Sequence, residues 1–443
     1  MLNAARAAIQ LAQLQPDGQA WVAAAWPATL PEDPADHWRS LPRGGRTMLA
    51  YQGGWLIAQG SVWEVDADGP GRPAWLARAH ARLEARTAAK ESGGGPKLPL
   101  VLAAFAFEDG DAGASHWGWR LPGARLWLPR RWWWRMPDGR GWGGGALQVS
   151  ASDDPERVAA ALAEAPTASP APEPVPWPLL PTDYAAQVEE AIGLIHDGAM
   201  RKVVLARAVD EVCHADESTI LARLRAGAHT STTVYAHDLD DGGLFCGATP
   251  EILIECRGDR LRTMALAGSC ARGTGEAEEL ARMAEMLTST KQRKEHGLVV
   301  EHLAAVLRPR CRPFTLAPTP HQRSEGGLMH LETLIEAELQ RRDYLEVIGA
   351  LHPTPAVCGL PTATAANYIR RHEHLHRGLY AGALGWLGPD ACRLVVPLRG
   401  GVLSADRTRA RLFAGAGIVE TSDPQDELAE TELKLRPMRT AIA

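Results

Sequence analysis

Phe245–Ser269 reads FCGATPEILIECRGDRLRTMALAGS. Apolar residues crowd both flanks of the RGDR tetrapeptide at 257–260, which carries the Gly and Asp of a tight turn. The segment predicts two strands, FCGATPEILIEC and LRTMALAGS, folded back on one another. Downstream, GLYAGALGWLG (378–388), ACRLVVPLRGGVL (391–403) and ARLFAGAGIV (410–419) read as three further strands with no helix between them. Strands that follow one another without crossover helices pair antiparallel. The predicted class is α+β rather than a doubly wound parallel sheet.

Working outward, TDYAAQVEEAIGLIHD (182–197) opens with a capping residue and repeats apolar positions at helical spacing. RKVVLARAVDEV (201–212) reads as a strand, residues 276–307 as one long helix, and HPTPAVCGLP (352–361) as a Pro-rich loop. TATAANYIRRHEHL (362–375) is helical in pattern. SDPQDELAETELKLRPM (422–438) is a helix with Asp423 at the N-cap, Pro424 at N1 and Asp426 at N3. Upstream, TMLAYQGGWLIAQGSVWEV (47–65) is strand-like and cut by a Gly pair. Thirteen of the fifteen tryptophans precede residue 150, and without a neighbouring chemical cluster they read as packing around sheets, not as a stacking platform. APTASPAPEPVPWPLLP (165–181) should be extended, because each Pro fixes φ and biases its predecessor away from helix. The expected layout is one domain over 1–443: a divergent N-terminal half (1–165), a Pro-rich connector (166–181) and a core (182–443).

Composition narrows the class. With 443 residues, 45% hydrophobic and 23% charged, the chain can bury a large globular core. A net charge of −6 argues against nucleic-acid binding. The seven cysteines are odd in number and form no CxxC pair, so neither a disulfide framework nor a zinc knuckle is expected. The first residues lack a basic-then-apolar leader, and no run of about 18 apolar residues occurs. The expectation is a reduced, cytoplasmic protein with no membrane or nucleic-acid partner and no obligatory protein partner.

Several residues could carry chemistry. Glu427, Glu430 and Lys434 stand at i, i+3 and i+7 on one helical face. They form either a solvated Glu–Lys face or oxygen ligands for a hard cation. Glu295 shares a mostly apolar face with Leu298, Val299 and His302, where a carboxylate is costly unless paired or metal-bound. His296 and His302 lack HExxH spacing and read as structural. Lys202 opens its strand, either solvated or a base. Glu251 precedes an apolar run, either an edge charge or a general acid. Arg399 ends VVPL and could grip a carboxylate. Gly415 and Gly417 could let backbone approach an anion or simply lighten a strand; Gly268 and Ser269 read the same two ways.

Read together, RKVVLARA, ATPEILIECRGDRLRTMALAGSCARG, KEHGLVVEHL, LHPTPAVCGLP, GLYAGALGWLG and LFAGAGIVETSDPQDELAETELKL strongly resemble the chorismate-binding enzymes over roughly 182–440. AFAFEDG and ARLWLPR extend the likeness weakly upstream. The resemblance implies large antiparallel sheets packed together with helices outside and a deep site. It implies that Lys202 activates water for attack at C2 of chorismate. It implies that Glu251 protonates the departing C4 hydroxyl. It implies a Mg2+ site at Glu295 and Glu430, with Glu427 supporting. Arg399 and the Gly415–Gly417 region would hold the enolpyruvyl carboxylate. Gly268, Ser269, His352, Thr354 and Lys434 would line the substrate site. Aminating members of the family commonly carry glutamine at the Lys202 place or a nucleophilic lysine where this chain has Ala267. The resemblance therefore implies isochorismate synthase, an isomerase requiring magnesium, with menaquinone synthesis as the expected route and a catechol siderophore as the other. The alternatives are salicylate synthase, an ammonia-using synthase, and a chorismate-binding protein without turnover.

Overall fold

The computed structural model describes residues 1–108, 122–164, 183–273, 275–325 and 327–443; the expected connector at 166–181 lies outside them. Among the described residues, twenty strands join in one network of pairings. All are antiparallel except Gln19–Pro27 with Thr87–Lys90.

Two arms diverge from the long strand Ala124–Arg135. Both halves of this strand pair with Gly54–Ala67 on one side. On the other, its first half pairs with Val101–Phe105 and its second with Gly141–Ser150. One arm continues from Gly54–Ala67 through Arg46–Tyr51, Thr233–Asp238, Leu244–Thr249 and Gly400–Leu403 to Arg409–Ile418 and Lys202–Val212. The other runs from Val101–Phe105 through Ala383–Leu387, Ala391–Val395, Ile252–Arg257 and Arg260–Ala271 to Leu328–Leu339. One apolar cluster joins the arms, with Val203, Phe245 and Phe413 from the first and Leu102, Ile254 and Leu394 from the second. The first arm buries a further layer, including Ile220, Leu224, Leu435 and Met438, under the helices Glu217–Gly227 and Pro424–Ile442. The α+β reading and the antiparallel sheets hold.

Three expected segments are subdivided and a fourth is shortened. FCGATPEILIEC is not one strand: Leu244–Thr249 belongs to the first arm and Ile252–Arg257 to the second. ACRLVVPLRGGVL divides likewise into Ala391–Val395 and Gly400–Leu403. Pro250 and Pro397 stand at the two breaks, where a residue without N–H cannot continue a ladder. The two crossings lie side by side: Val396 N donates to Glu251 O (3.0 Å) and Thr249 Oγ1 to Val396 O (2.5 Å). GLYAGALGWLG forms a strand only at Ala383–Leu387. The 276–307 segment is two helices, Glu276–Thr288 and Thr290–Leu307, broken at Ser289 (φ −60°, ψ 121°). The Ser289 hydroxyl accepts from Gln292 N and caps the second helix, a local bond that competes with helix continuation.

Trp117, Trp119 and Trp177 lie outside the described residues, and others pack in and around the sheets. Trp132 and Trp134 are buried, and Trp134 meets Trp386 edge-on at 4.7 Å between ring centroids. This contact ties the N-terminal half to the second arm.

Candidate functional site

The paired crossings and the strands beside them wall a cavity of about 660 Å3, its mouth included. Its lining includes Glu251, Gly268, Ser269, Glu295, Arg399, Gly415, Gly417, Glu430 and Lys434, nine residues that the sequence placed in the site.

Lys202 stands directly behind this lining. It opens a strand flanked by Arg409–Ile418 and Gly359–Leu360, so its side chain has no solvent exposure. Its Nζ lies 3.1 Å from Glu295 Oε1, off hydrogen-bond alignment. A buried lysine nitrogen without a hydrogen-bond partner is expected to find one in a ligand or water. Gly417 makes the arrangement possible: a Cβ there would fall 2.2 Å from Glu295 Oε1 and 3.0 Å from Lys202 Cε. The sequence suggested backbone approach to an anion at this position. The space accommodates the Lys202–Glu295 pair, and Gly417 also lines the cavity.

Glu251 sits at the Pro250 crossing, 3% exposed. Burial pushes its carboxyl up to about 7, against the opposing charges of Lys202 and Arg399. The Thr354 hydroxyl favours its ionised form, and Thr354 is itself buried. Glu251 is thus poised between acid and carboxylate near neutral pH.

Arg399 follows the second crossing with φ +50°, a left-handed conformation that costs a non-glycine residue roughly 1–2 kcal/mol. Its Nη2 lies 3.0 Å from His330 Nε2. Burial, then the Arg399 charge, holds His330 well below the usual imidazole range, so the ring is neutral and accepts from the guanidinium. The Nδ1 side faces Ser269 Oγ (2.9 Å) and Gly268 O (3.3 Å). Gly268 has φ +77° at the bulge opposite His330–Leu331, where a side chain would be strained.

The terminal helix supplies the remaining charges. Glu430 pairs with Lys434 (2.6 Å), and Lys434 Nζ also donates to Gly415 O (2.8 Å). Glu427 is almost wholly buried and pairs with Lys291 (2.6 Å). Burial, then the like charge of Glu430, pushes the Glu427 carboxyl up. Each of the three glutamates therefore has a lysine partner. Among the described residues, no three His, Cys, Asp or Glu side chains form a ready-made metal cage. The donor set nevertheless fits a hard cation. It is all oxygen, and the mutual repulsion of Glu427 and Glu430 is what added positive charge would relieve.

His352 does not line the cavity. It is buried, donates from Nε2 to Ala381 O (3.3 Å), and is pushed down to about 3 by burial. His296 bonds Thr333 Oγ1 (2.7 Å) inside the core, as expected of a structural histidine. Among the lining residues that escaped the sequence reading are His330, Arg377 and Tyr380. His330 occurs in LMHLETL, where only its burial within a strand singles it out. Tyr380 stacks on Phe413 and holds its hydroxyl near Gly415.

Residues 49–443 match the family model described as chorismate binding enzyme. Isochorismate synthase DhbC of Bacillus subtilis is 32% identical over 426 residues, 93% of this chain and 97% of that one. A Mycobacterium tuberculosis protein named "Putative isochorismate synthase MenF" is 38% identical over 274 residues, 59% of this chain and 73% of its own length. The solved structure of MenF, the menaquinone-specific isochorismate synthase from Escherichia coli, superposes with a TM-score of 0.76. It covers 99% of this chain and 100% of that one at 24% identity, a likeness of fold.

Proposed function

Because this chain belongs to the chorismate-binding enzymes, we propose that it is an isochorismate synthase, an isomerase that adds water at C2 of chorismate and releases the C4 hydroxyl as water. The observation that carries the reading is Glu251, whose carboxyl lies near 7, on a cavity wall that has Lys202 buried directly behind its Glu295.

Water is a poor nucleophile and hydroxide a poor leaving group, so the exchange needs a base at C2 and an acid at C4. Lys202 takes a proton from the attacking water. Glu251, protonated, delivers one to the departing hydroxyl. The ring double bonds shift between the two events, one water enters and one leaves, and no cosubstrate is consumed. Arg399 grips one substrate carboxylate through its guanidinium, held by His330. Glu295 and Glu430, with Glu427 behind them, would hold Mg2+, which when bound supplies positive charge for the other carboxylate. Fixing both ends of a small dicarboxylate removes much of the entropic cost of alignment. At the family's nucleophilic lysine place this chain has Ala267, so no covalent amino intermediate can form there.

We also take the whole chain as one functional unit, since Arg46–Tyr51 pairs with Thr233–Asp238 and Val101–Phe105 with Ala383–Leu387. Seven unpaired thiols support a cytoplasmic setting, and among the described residues no helix is long and apolar enough to cross a membrane. Menaquinone synthesis is the route we assign to the product, in line with the relative named MenF.

Chorismate incubated with the protein and magnesium tests the reaction. Chromatography and mass spectrometry should find an isobaric product with no pyruvate. Salicylate with pyruvate would replace the proposal with salicylate synthase, and an amino product in ammonium would refute the role of Lys202.

A further inference from the structure

Lys291 is the second residue of the helix Thr290–Leu307, which carries Glu295 one turn further on. Its ammonium reaches across to the terminal helix and lies 2.6 Å from Glu427 Oε1, with the two side chains 26% and 2% exposed. The charges of Glu430 and Glu295 act on the same ammonium. It therefore bridges the helix that carries Glu295 to the terminal helix that carries Glu427 and Glu430. The other lysines at these carboxylates are differently placed. Lys202 is sealed in its strand, and Lys434 also holds Gly415 O. Lys291 alone of the three combines a partly exposed stem with a bond to the most buried glutamate.

We propose that Lys291 is a resident counter-ion: its ammonium occupies the place of a divalent cation among Glu295, Glu427 and Glu430 and must be displaced for magnesium to enter. This rests on the assignment of magnesium to those glutamates. Three carboxylates drawn together without compensation repel one another and are costly to bury. The lysine offsets that cost in the metal-free protein. It also opposes metal entry, because a like charge stands where the ion must go. Lys291 thus tunes the site toward weaker, exchangeable metal binding, and its removal should strengthen binding rather than weaken it. A residue with a merely architectural role between two helices would give the opposite sign.

The test is calorimetric titration of MgCl2, without substrate, into the full-length protein and three variants. Lys291→Met should bind magnesium roughly tenfold more tightly or better, as expected for removing a unit charge a few ångströms from the ion. Lys291→Arg keeps the charge and should stay near wild type. Lys294→Met, on the same helix as Lys291, removes an exposed charge paired with Glu420 and should also stay near wild type. Thermal melts supply the second readout. Lys291→Met should melt below wild type in chelator, and the gap should close at saturating magnesium. Equal or weaker magnesium affinity in Lys291→Met, with wild type binding normally, would overturn the counter-ion role. Wild-type protein that takes up no magnesium would instead remove the metal assignment, and this proposal with it.

Discussion

Lys202 has no exposure and meets Glu295 at 3.1 Å, while Glu251 faces the same cavity with its carboxyl near 7. Both were nameable from the sequence, but their environment was not. A lysine opening a strand is ordinarily solvated, and only the strands on either side of Lys202 make it a buried group. His330 lay beyond reach for the same reason, since its value comes from Arg399, 69 residues away. Replacing Lys202 with alanine should lower kcat by roughly a thousandfold, the scale of a lost general base. Circular dichroism should show the fold retained. Near-normal turnover would remove Lys202 from the chemistry. Glu251 must carry its proton to act as an acid, and it does so below about 7. The rate should therefore fall as pH rises through that value. In Glu251→Gln, which cannot ionise, this limb should vanish from the residual kcat/KM profile. An unchanged limb would assign it to another group.

Elements were legible where one physical signal dominated. The terminal helix was announced by its cap, and Asp423 accepts from Gln425 N and Asp426 N as expected. Strand succession announced antiparallel pairing. The misreadings have a common cause in unweighted local breaks. Pro250 and Pro397 were visible inside strand-like runs, and each marks the point where the chain leaves one arm for the other. Those crossings place Glu251 and Arg399, so the places where the strand pattern fails are also where the site is built. Ser289 similarly divided a helix whose apolar pattern seemed continuous. The strand Arg409–Ile418 makes its contribution through a missing side chain. Gly417→Ala would press a methyl into the Glu295 carboxylate. Activity should drop by about a hundredfold or more, as for an ångström-scale misplacement of catalytic groups. Urea denaturation should show only a modest loss of stability. Unaltered activity would mean that the Lys202–Glu295 pair tolerates displacement.

At the scale of the molecule, the class could be read early but the joining of the arms could not, because it depends on contacts between distant segments. One such contact between distant segments is the fully buried pair Arg377–Glu373. Arg377 donates to Val204 O (2.7 Å) and Val357 O (2.8 Å), and Glu373 accepts from Ala206 N (2.8 Å). These side chains satisfy backbone groups of the Lys202 strand beyond its short pairing with Gly359–Leu360. Arg377→Met would strand the Glu373 charge in the core and should cost about 3–5 kcal/mol by urea titration. A loss below about 1 kcal/mol would show that these segments are held by apolar packing alone. All of this architecture serves one claim, that solvent water enters at C2 as the C4 hydroxyl leaves. The most direct measurement is turnover of chorismate with magnesium in oxygen-18 water, followed by mass spectrometry and carbon NMR of the product. The account predicts one solvent oxygen in the isomerised product, bound at C2. A product that keeps only substrate oxygen would contradict it.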